Sequence, residues 1–137
     1  MKVFNKQKGF TLIELLIVVA IIGMMLSVSL PVSFSMYNNY KSSLKAQEVM
    51  IFISKLKRES FLYSEMKILS SKNNMITIDG KAESFDESLI NVDLPIVFYR
   101  NGTTSGGTVK VSTGGSAYLV TVRAPLGDLV MTRAGAE

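Results

Sequence analysis

Residues 8–31 read KGFTLIELLIVVAIIGMMLSVSLP and contain the main apolar run of the chain. Between Phe10 and Leu30, Glu14 is the only ionisable side chain. A helix of about 21 residues that rises 1.5 Å per residue is about 31 Å long, which matches the hydrocarbon thickness of a bilayer. Because lipid offers no partner to unpaired backbone groups, we predict that this segment forms a membrane-spanning helix.

Two features set this run apart from an ordinary secretory signal. A carboxylate inside an apolar helix costs about 2.5–3.5 kcal/mol on insertion scales, so a residue such as Glu14 usually has a function and a partner. A secretory signal also places its apolar core before the cleavage site, whereas here the apolar core follows Gly9. Cleavage after Gly9 would therefore leave the whole helix on the mature protein.

The combined order of a basic leader, Gly9, Phe10, Glu14 and an apolar run resembles the leader junction of type IV pilins and of the pseudopilins of type II secretion. This resemblance implies that a prepilin peptidase cuts between Gly9 and Phe10, and that Phe10 becomes N-methylphenylalanine. Glu14 matches a near-invariant glutamate of the family, which implies a role in subunit assembly by pairing with the Phe10 amine of a neighbouring subunit. Pro31 matches a helix-kinking proline. A plain signal anchor with a tolerated glutamate is the alternative.

The leader predicts how the chain is oriented in the membrane. Lys2, Lys6 and Lys8 precede the apolar helix, which places the N-terminus in the cytoplasm. The protein is then a single-pass protein of the bacterial inner membrane with a periplasmic domain, later extracted into a filament. The resemblance implies as partners other pilin or pseudopilin subunits, the prepilin peptidase and an inner-membrane assembly platform. The predicted segments are a cleaved leader (1–9), a transmembrane and assembly helix (10–31) and a periplasmic α+β domain (32–137).

Composition excludes most catalytic chemistry. The chain has 137 residues and contains no His and no Cys, which removes the usual general base, the thiol nucleophile and the commonest metal ligands. We therefore expect neither an enzyme nor a cofactor. Removal of the leader takes away three of the 15 Lys and Arg residues against 11 Asp and Glu, so the mature chain has no strong charge-driven attraction to nucleic acid.

Beyond Pro31, where we expect a bend rather than a stop, the helix is predicted to continue to about Ser64. One apolar stripe with helical spacing is predicted to pack on a sheet, and it comprises Val49, Phe52, Ile53, Leu56 and Tyr63. Off this stripe are three further apolar residues, which are either scattered surface residues or a contact row for neighbouring subunits: Leu44, Ile51 and Leu62.

After the helix, short β segments separated by turn residues predict antiparallel strands, and hence an α+β fold in which the long helix packs against antiparallel β-sheet. We interpret 69–74 as a turn-rich break and 81–94 as irregular. The predicted strands lie at 75–78, 96–99, 108–111, 117–122 and 129–131. Within the irregular stretch the predicted core residues are Phe85, Leu89 and Ile90.

Carboxylates are frequent between residues 79 and 93, at Asp79, Glu83, Asp86, Glu87 and Asp93. A cation site built from carboxylates and backbone carbonyls is conceivable there. Their spacing matches no EF-hand loop, so we expect a solvated loop.

A second resemblance covers residues 95–131. Phe98-x-x-x-Gly102, the Gly106-Gly107 pair, the segment 118–122 and Gly127 are similar to the C-terminal region of GspH/FimT/FimU-type minor subunits. That resemblance implies two small sheets on the helix and a place at the filament tip. The predicted function is a non-catalytic minor pseudopilin of a type II secretion pseudopilus. The alternative is a minor type IV pilin for pilus assembly or DNA uptake.

DNA binding has two weak candidate residues. Some FimT-like proteins are thought to bind DNA through a basic Gly-Arg-x-Arg motif, but here Asp128 follows Gly127. Arg123 and Arg133 are left as isolated candidates, which argues against nucleic acid as a partner.

Overall fold

The computed structural model describes residues 9–86 and 88–135. The chain forms two compact units, Met1–Met36 and Tyr37–Glu137. One helix, α1, extends from Leu12 to Leu62. It continues through Pro31, and the bend expected there stays a prediction. The leader lysines on which the predicted orientation depends lie outside the described residues.

In the first unit, every described residue from 9 to 36 is exposed. Its helical part is apolar on all sides, and among the described residues α1 is the one helix long and apolar enough, by length and composition, to cross a membrane. A helix that is hydrophobic all round is stable only where lipid or other helices cover it.

Eight strands lie in the part of the second unit that the structure describes. They are β1 (Lys67–Lys72), β2 (Met75–Ile78), β3 (Lys81–Glu83), β4 (Leu89–Val92), β5 (Ile96–Phe98), β6 (Gly107–Thr113), β7 (Ser116–Arg123) and β8 (Asp128–Arg133). They form two four-stranded sheets with the orders β3-β2-β1-β5 and β4-β6-β7-β8, and every strand pair is antiparallel. The predicted α+β class with antiparallel sheets is confirmed.

The core lies between α1 and the two sheets. From α1 it takes Ala46, Val49, Ile53 and Leu56, and from the strands Leu69, Ile76, Ile90, Val92, Ile96, Phe98, Val109, Val111, Val120 and Val122. Two core predictions are wrong. Tyr63 is 70% exposed because α1 ends one residue before it. Leu89 is 60% exposed because side chains alternate along β4 and its neighbour Ile90 faces inward.

Three strands were not predicted. β1 falls largely in the stretch interpreted as a turn, and β3 and β4 fall in the stretch interpreted as irregular. The real turn is Asn73-Asn74, whose φ angles of +55° and +61° close a tight hairpin between β1 and β2. Across this hairpin the hydroxyls of Ser70 and Thr77 are 2.6 Å apart, so a polar pair takes the place of the apolar pair that marks a strand in sequence.

A loop at residues 101–106 links the two sheets. On one side Ser105 N–H donates to the Val97 carbonyl of β5 at 2.9 Å, and on the other Thr104 N–H donates to the Pro125 carbonyl after β7 at 2.9 Å. The loop therefore covers the free edge of β5 and fixes its position beside the end of β7.

Buried Ser60 anchors the C-terminal end of α1. Its Oγ lies 2.8 Å from the Glu65 carbonyl oxygen and 3.1 Å from the carbonyl oxygens of Phe98 and Tyr99. We expect Ser60→Ala to lower the free energy of unfolding by about 1–3 kcal/mol, because buried carbonyls lose their donor. Urea unfolding of the full chain in detergent measures this. Ser54→Ala, at an exposed position of the same helix, is the control, and equal effects of the two would contradict the anchoring role.

Candidate functional site

The predicted processing and assembly residues form one small site at the N-terminus of α1. Gly9, Phe10 and Thr11 lie before the first helical residue, and Glu14 lies in the first turn. The Thr11 backbone N–H donates to Glu14 Oε2 at 2.9 Å, and the Thr11 hydroxyl donates to the same oxygen at 3.0 Å. In return the Glu14 backbone N–H donates to Thr11 Oγ1 at 3.3 Å.

These reciprocal bonds make a capping box. Thr11 is the N-cap residue and Glu14 is the third residue of the helix, so each side chain satisfies a backbone N–H that the first turn leaves without a partner. The carboxylate also lies at the positive end of the helix dipole, which favours its negative charge. Glu14 therefore stabilises the start of its own helix within a single subunit.

The capping box leaves part of Glu14 available to another molecule. Both bonds from Thr11 end on Oε2, and no other residue that the structure describes is bonded to Oε1. The carboxylate faces an open cavity of about 260 Å³ lined by Gly9, Phe10, Thr11 and Glu14. A single cationic group entering this cavity would find an acceptor that is already oriented.

Thr11 is the residue that the sequence interpretation did not single out. The signal was present, because a Ser or Thr followed three residues later by Glu or Asp before an apolar run is the sequence signature of a capping box.

The two candidate DNA-binding residues are not brought together. In the β7–β8 pair, Arg123 is opposite Asp128 at one end and Arg133 is opposite Tyr118 at the other. The two arginines are thus about 16 Å apart along the strands, at about 3.3 Å per residue. Arg133 Nη2 donates to Asn39 Oδ1 at 3.3 Å, so one of its donors has a partner within the domain.

The carboxylates of 79–93 are spread over a hairpin and the segment after it. Asp79 Oδ2 lies 3.9 Å from Lys67 Nζ, which is 3.1 Å from Glu65 Oε2. The hydrogen bond to Glu65, with the nearby negative charges, raises the pKa of Lys67 above its ordinary value. Within 9–86 and 88–135, no three His, Cys, Asp or Glu side chains are close enough to hold a metal ion; Glu87 lies outside the described residues.

Comparison with known proteins gives a consistent set of relatives. The family model described as the prokaryotic N-terminal methylation motif matches residues 4–30. A fimbrial protein of Pseudomonas aeruginosa is 31% identical over 118 residues, covering 76% of this chain and 74% of the relative. Fimbrial protein Q of Moraxella bovis is 29% identical, covering 90% and 71%, and the type IV major alpha-pilin of the same species is 28% identical, covering 82% and 72%. No solved structure gives a significant match.

Proposed function

The chain belongs to the type IV pilin family, and from this premise we propose that it is a subunit of a type IV pilus, cut between Gly9 and Phe10 and methylated on the new Phe10 amine. The family consists of structural subunits, so the protein is not an enzyme. Its apolar helix with the methylation motif is that of a precursor held in the inner membrane before it enters a filament.

The observation that carries the proposal is Glu14 Oε1, which no described residue bonds and which lies beside the proposed cleavage position. Cleavage after Gly9 creates a positively charged amine on Phe10 of every subunit. In a bundle of apolar helices, a lone amine and a lone carboxylate are each costly, whereas a pair of them lowers that cost and fixes the axial position of one helix against the next. Glu14 Oε1 is the acceptor for the amine of a neighbouring subunit, while Oε2 stays in the capping box.

The rest of α1 supplies further contacts. Leu44, Ile51 and Leu62 lie away from the core and are 45%, 67% and 65% exposed. Apolar side chains in such a row favour burial against a neighbouring subunit. Their exposure leaves them available to a neighbouring subunit, and we propose that they form a contact row.

The relatives favour a pilus over a secretion pseudopilus, since those compared are named fimbrial proteins and a type IV pilin. The minor pseudopilin stays a second candidate because of one observation. The domain has two four-stranded sheets on its helix, the arrangement that the GspH/FimT/FimU resemblance implies for minor subunits at a filament tip. The two functions can be separated by deleting the gene that encodes this chain. Surface pili are then counted and secreted proteins are assayed.

Processing is tested by intact mass and N-terminal sequencing of the protein recovered from native membranes. We expect a chain that begins at Phe10 and carries one additional methyl group. Deletion of the host's prepilin peptidase is the control and should return the uncut precursor. A wild-type chain that still begins at Met1 would contradict the proposal and support a plain signal anchor.

A further inference from the structure

Two exposed tyrosines follow the apolar part of α1. Tyr37 and Tyr40 are 63% and 65% exposed. Ala46 and Val49 follow them by nine residues each, which is about two and a half helical turns, and both are fully buried in the core. Tyr37 and Tyr40 therefore lie on the side of α1 opposite to the core, and we call them the tyrosine pair.

The helix before the tyrosine pair is suited to a lipid environment. The hydroxyls of Ser27, Ser33 and Ser35 donate to carbonyl oxygens three or four residues earlier in α1, at 2.7, 2.9 and 2.9 Å. Lipid requires polar groups to be satisfied within the protein, whereas water or a polar protein surface does not. From residue 15 to residue 40 the sequence contains no Asp, Glu, Lys or Arg, and the first charged side chain is that of Lys41. Hydrocarbon can therefore cover α1 as far as about Ser35.

The tyrosine pair lies where the border of a bilayer is expected. About 21 residues of helix cross the hydrocarbon, and this length, counted from Leu12, ends at Val32. A headgroup layer adds about 5–7 Å on each side, or about four residues of helix. Because side chains of a helix lean toward its N-terminus and cover the preceding turn, the two rings reach back to this layer.

Tyrosine has the chemistry that this layer requires. Its ring is apolar and its hydroxyl is polar, so the ring packs on acyl chains while the hydroxyl bonds to the ester and phosphate oxygens of the headgroups. Both parts of each side chain are thus satisfied at the border, and neither is satisfied in the centre of the bilayer.

We propose that the tyrosine pair binds the phospholipid headgroup layer at the end of the span that leads into the second unit, and thereby holds α1 at a fixed depth in the bilayer. The proposal rests on the membrane-held precursor of the proposed function and adds the surface that sets its depth. A fixed depth also keeps the Gly9–Phe10 bond at a constant level at the other end of the span.

The contact with lipid is tested by fluorescence, since the chain contains no Trp and a single introduced Trp is a unique reporter. Tyr37→Trp and Tyr40→Trp are each made in the full chain and reconstituted in phosphatidylcholine vesicles with lipid in large excess. Lipids brominated beside the headgroup should quench each variant about twofold more strongly than lipids brominated at the chain ends. Tyr63→Trp, at a position that is 70% exposed just after α1, is the control and should be quenched by neither lipid.

The effect on depth has its own test, with Val32→Trp as the reporter. Tyr37→Leu with Tyr40→Leu lengthens the apolar stretch and draws the helix further into the bilayer. The ratio of headgroup to chain-end quenching at position 32 should then fall by about twofold. Tyr63→Leu with Tyr99→Leu makes the same substitutions outside the layer and should leave the ratio unchanged.

Three results would overturn the proposal. They are equal quenching of the Tyr37→Trp and Tyr63→Trp variants, equal effects of the two Leu pairs, and shielding from headgroup bromines that rises with the protein-to-lipid ratio, as contact with a neighbouring subunit would give. If neither lipid quenched the Val32→Trp variant, the membrane span would be refuted as well. Quenching at position 32 without quenching at 37 and 40 would refute the role of the tyrosine pair alone.

Discussion

Replacement of Glu14 by alanine should leave cleavage and methylation nearly intact but reduce incorporation into filaments by at least about a hundredfold. The variant loses the acceptor that we propose for a neighbour's Phe10 amine, and a charge left unpaired in an apolar core costs about 3–5 kcal/mol. It also loses the capping box, which costs about 0.5–2 kcal/mol. The measurement is the ratio of subunit in the sheared filament fraction to subunit in the membrane, with intact mass as the check on processing.

Two further variants separate the two roles of Glu14. Glu14→Gln keeps an oxygen that can accept the Thr11 N–H but carries no charge, so it should assemble almost as poorly as Glu14→Ala. Thr11→Val removes the hydroxyl that donates to Oε2 at 3.0 Å while the backbone bond at 2.9 Å can persist, so its defect should be mild. If Glu14→Gln assembled like the wild type, the charge pair would be excluded and capping alone would explain the residue.

Gly106→Ala should cause a large loss of stability, about 2–5 kcal/mol. Gly106 has a φ of +75°, and a Cβ atom there would lie 3.0 Å from both the Ala124 nitrogen and the Val122 oxygen. The left-handed conformation costs an L-residue about 1–2 kcal/mol, and crowding against backbone that cannot move aside adds about 1–3 kcal/mol. For a domain of this size the midpoint of thermal unfolding should fall by about 10 °C or more.

Gly115→Ala is the matched control, since its φ is +88° and no atom lies within 4 Å of a Cβ built there. It should cost only the conformational term, about 1–2 kcal/mol. The domain contains five Tyr and the chain no Trp, so near-ultraviolet circular dichroism of the tyrosines follows the domain while the apolar helix stays folded in detergent. Equal midpoints for the two variants would show that the loop at residues 101–106 adjusts to a methyl group.

The core face of α1 could be predicted where apolar residues repeat, and not where polar residues are buried. Val49, Ile53 and Leu56 follow from helical spacing. Ser42 and Ser60 do not, because each is buried where a strand distant in the sequence supplies a hydrogen-bond acceptor. Ser42 Oγ donates to the Thr113 carbonyl at 2.6 Å, and Ser60 Oγ donates to the Phe98 carbonyl at 3.1 Å. Strand β1 was missed for a similar reason, since its serines bond across to other strands.

The candidate sites also differ in how far apart in the sequence their residues lie. The residues at the start of α1 are close together in the sequence. A short motif therefore identifies Phe10 and Glu14, and the capping-box signature also identifies Thr11. The crowding at Gly106 depends on backbone 16 and 18 residues further along the chain at Val122 and Ala124. The contact between α1 and the loop after β5 is likewise non-local, since only the folded chain brings Gly102 close to the Phe61 ring.

The capping box leaves the bond proposed for leader cleavage outside the helix. Gly9 and Phe10 are non-helical and α1 begins at Leu12, so only Phe10 and Thr11 separate the bond proposed for cleavage from the first turn. A protease can therefore bind the Gly9–Phe10 bond as open chain, with the next turn already closed by Thr11 and Glu14. Hydrolysis there breaks no helical hydrogen bond, and the trimmed subunit keeps the helix start that the precursor had. The proposed maturation thus requires no local unwinding of the first turn of α1.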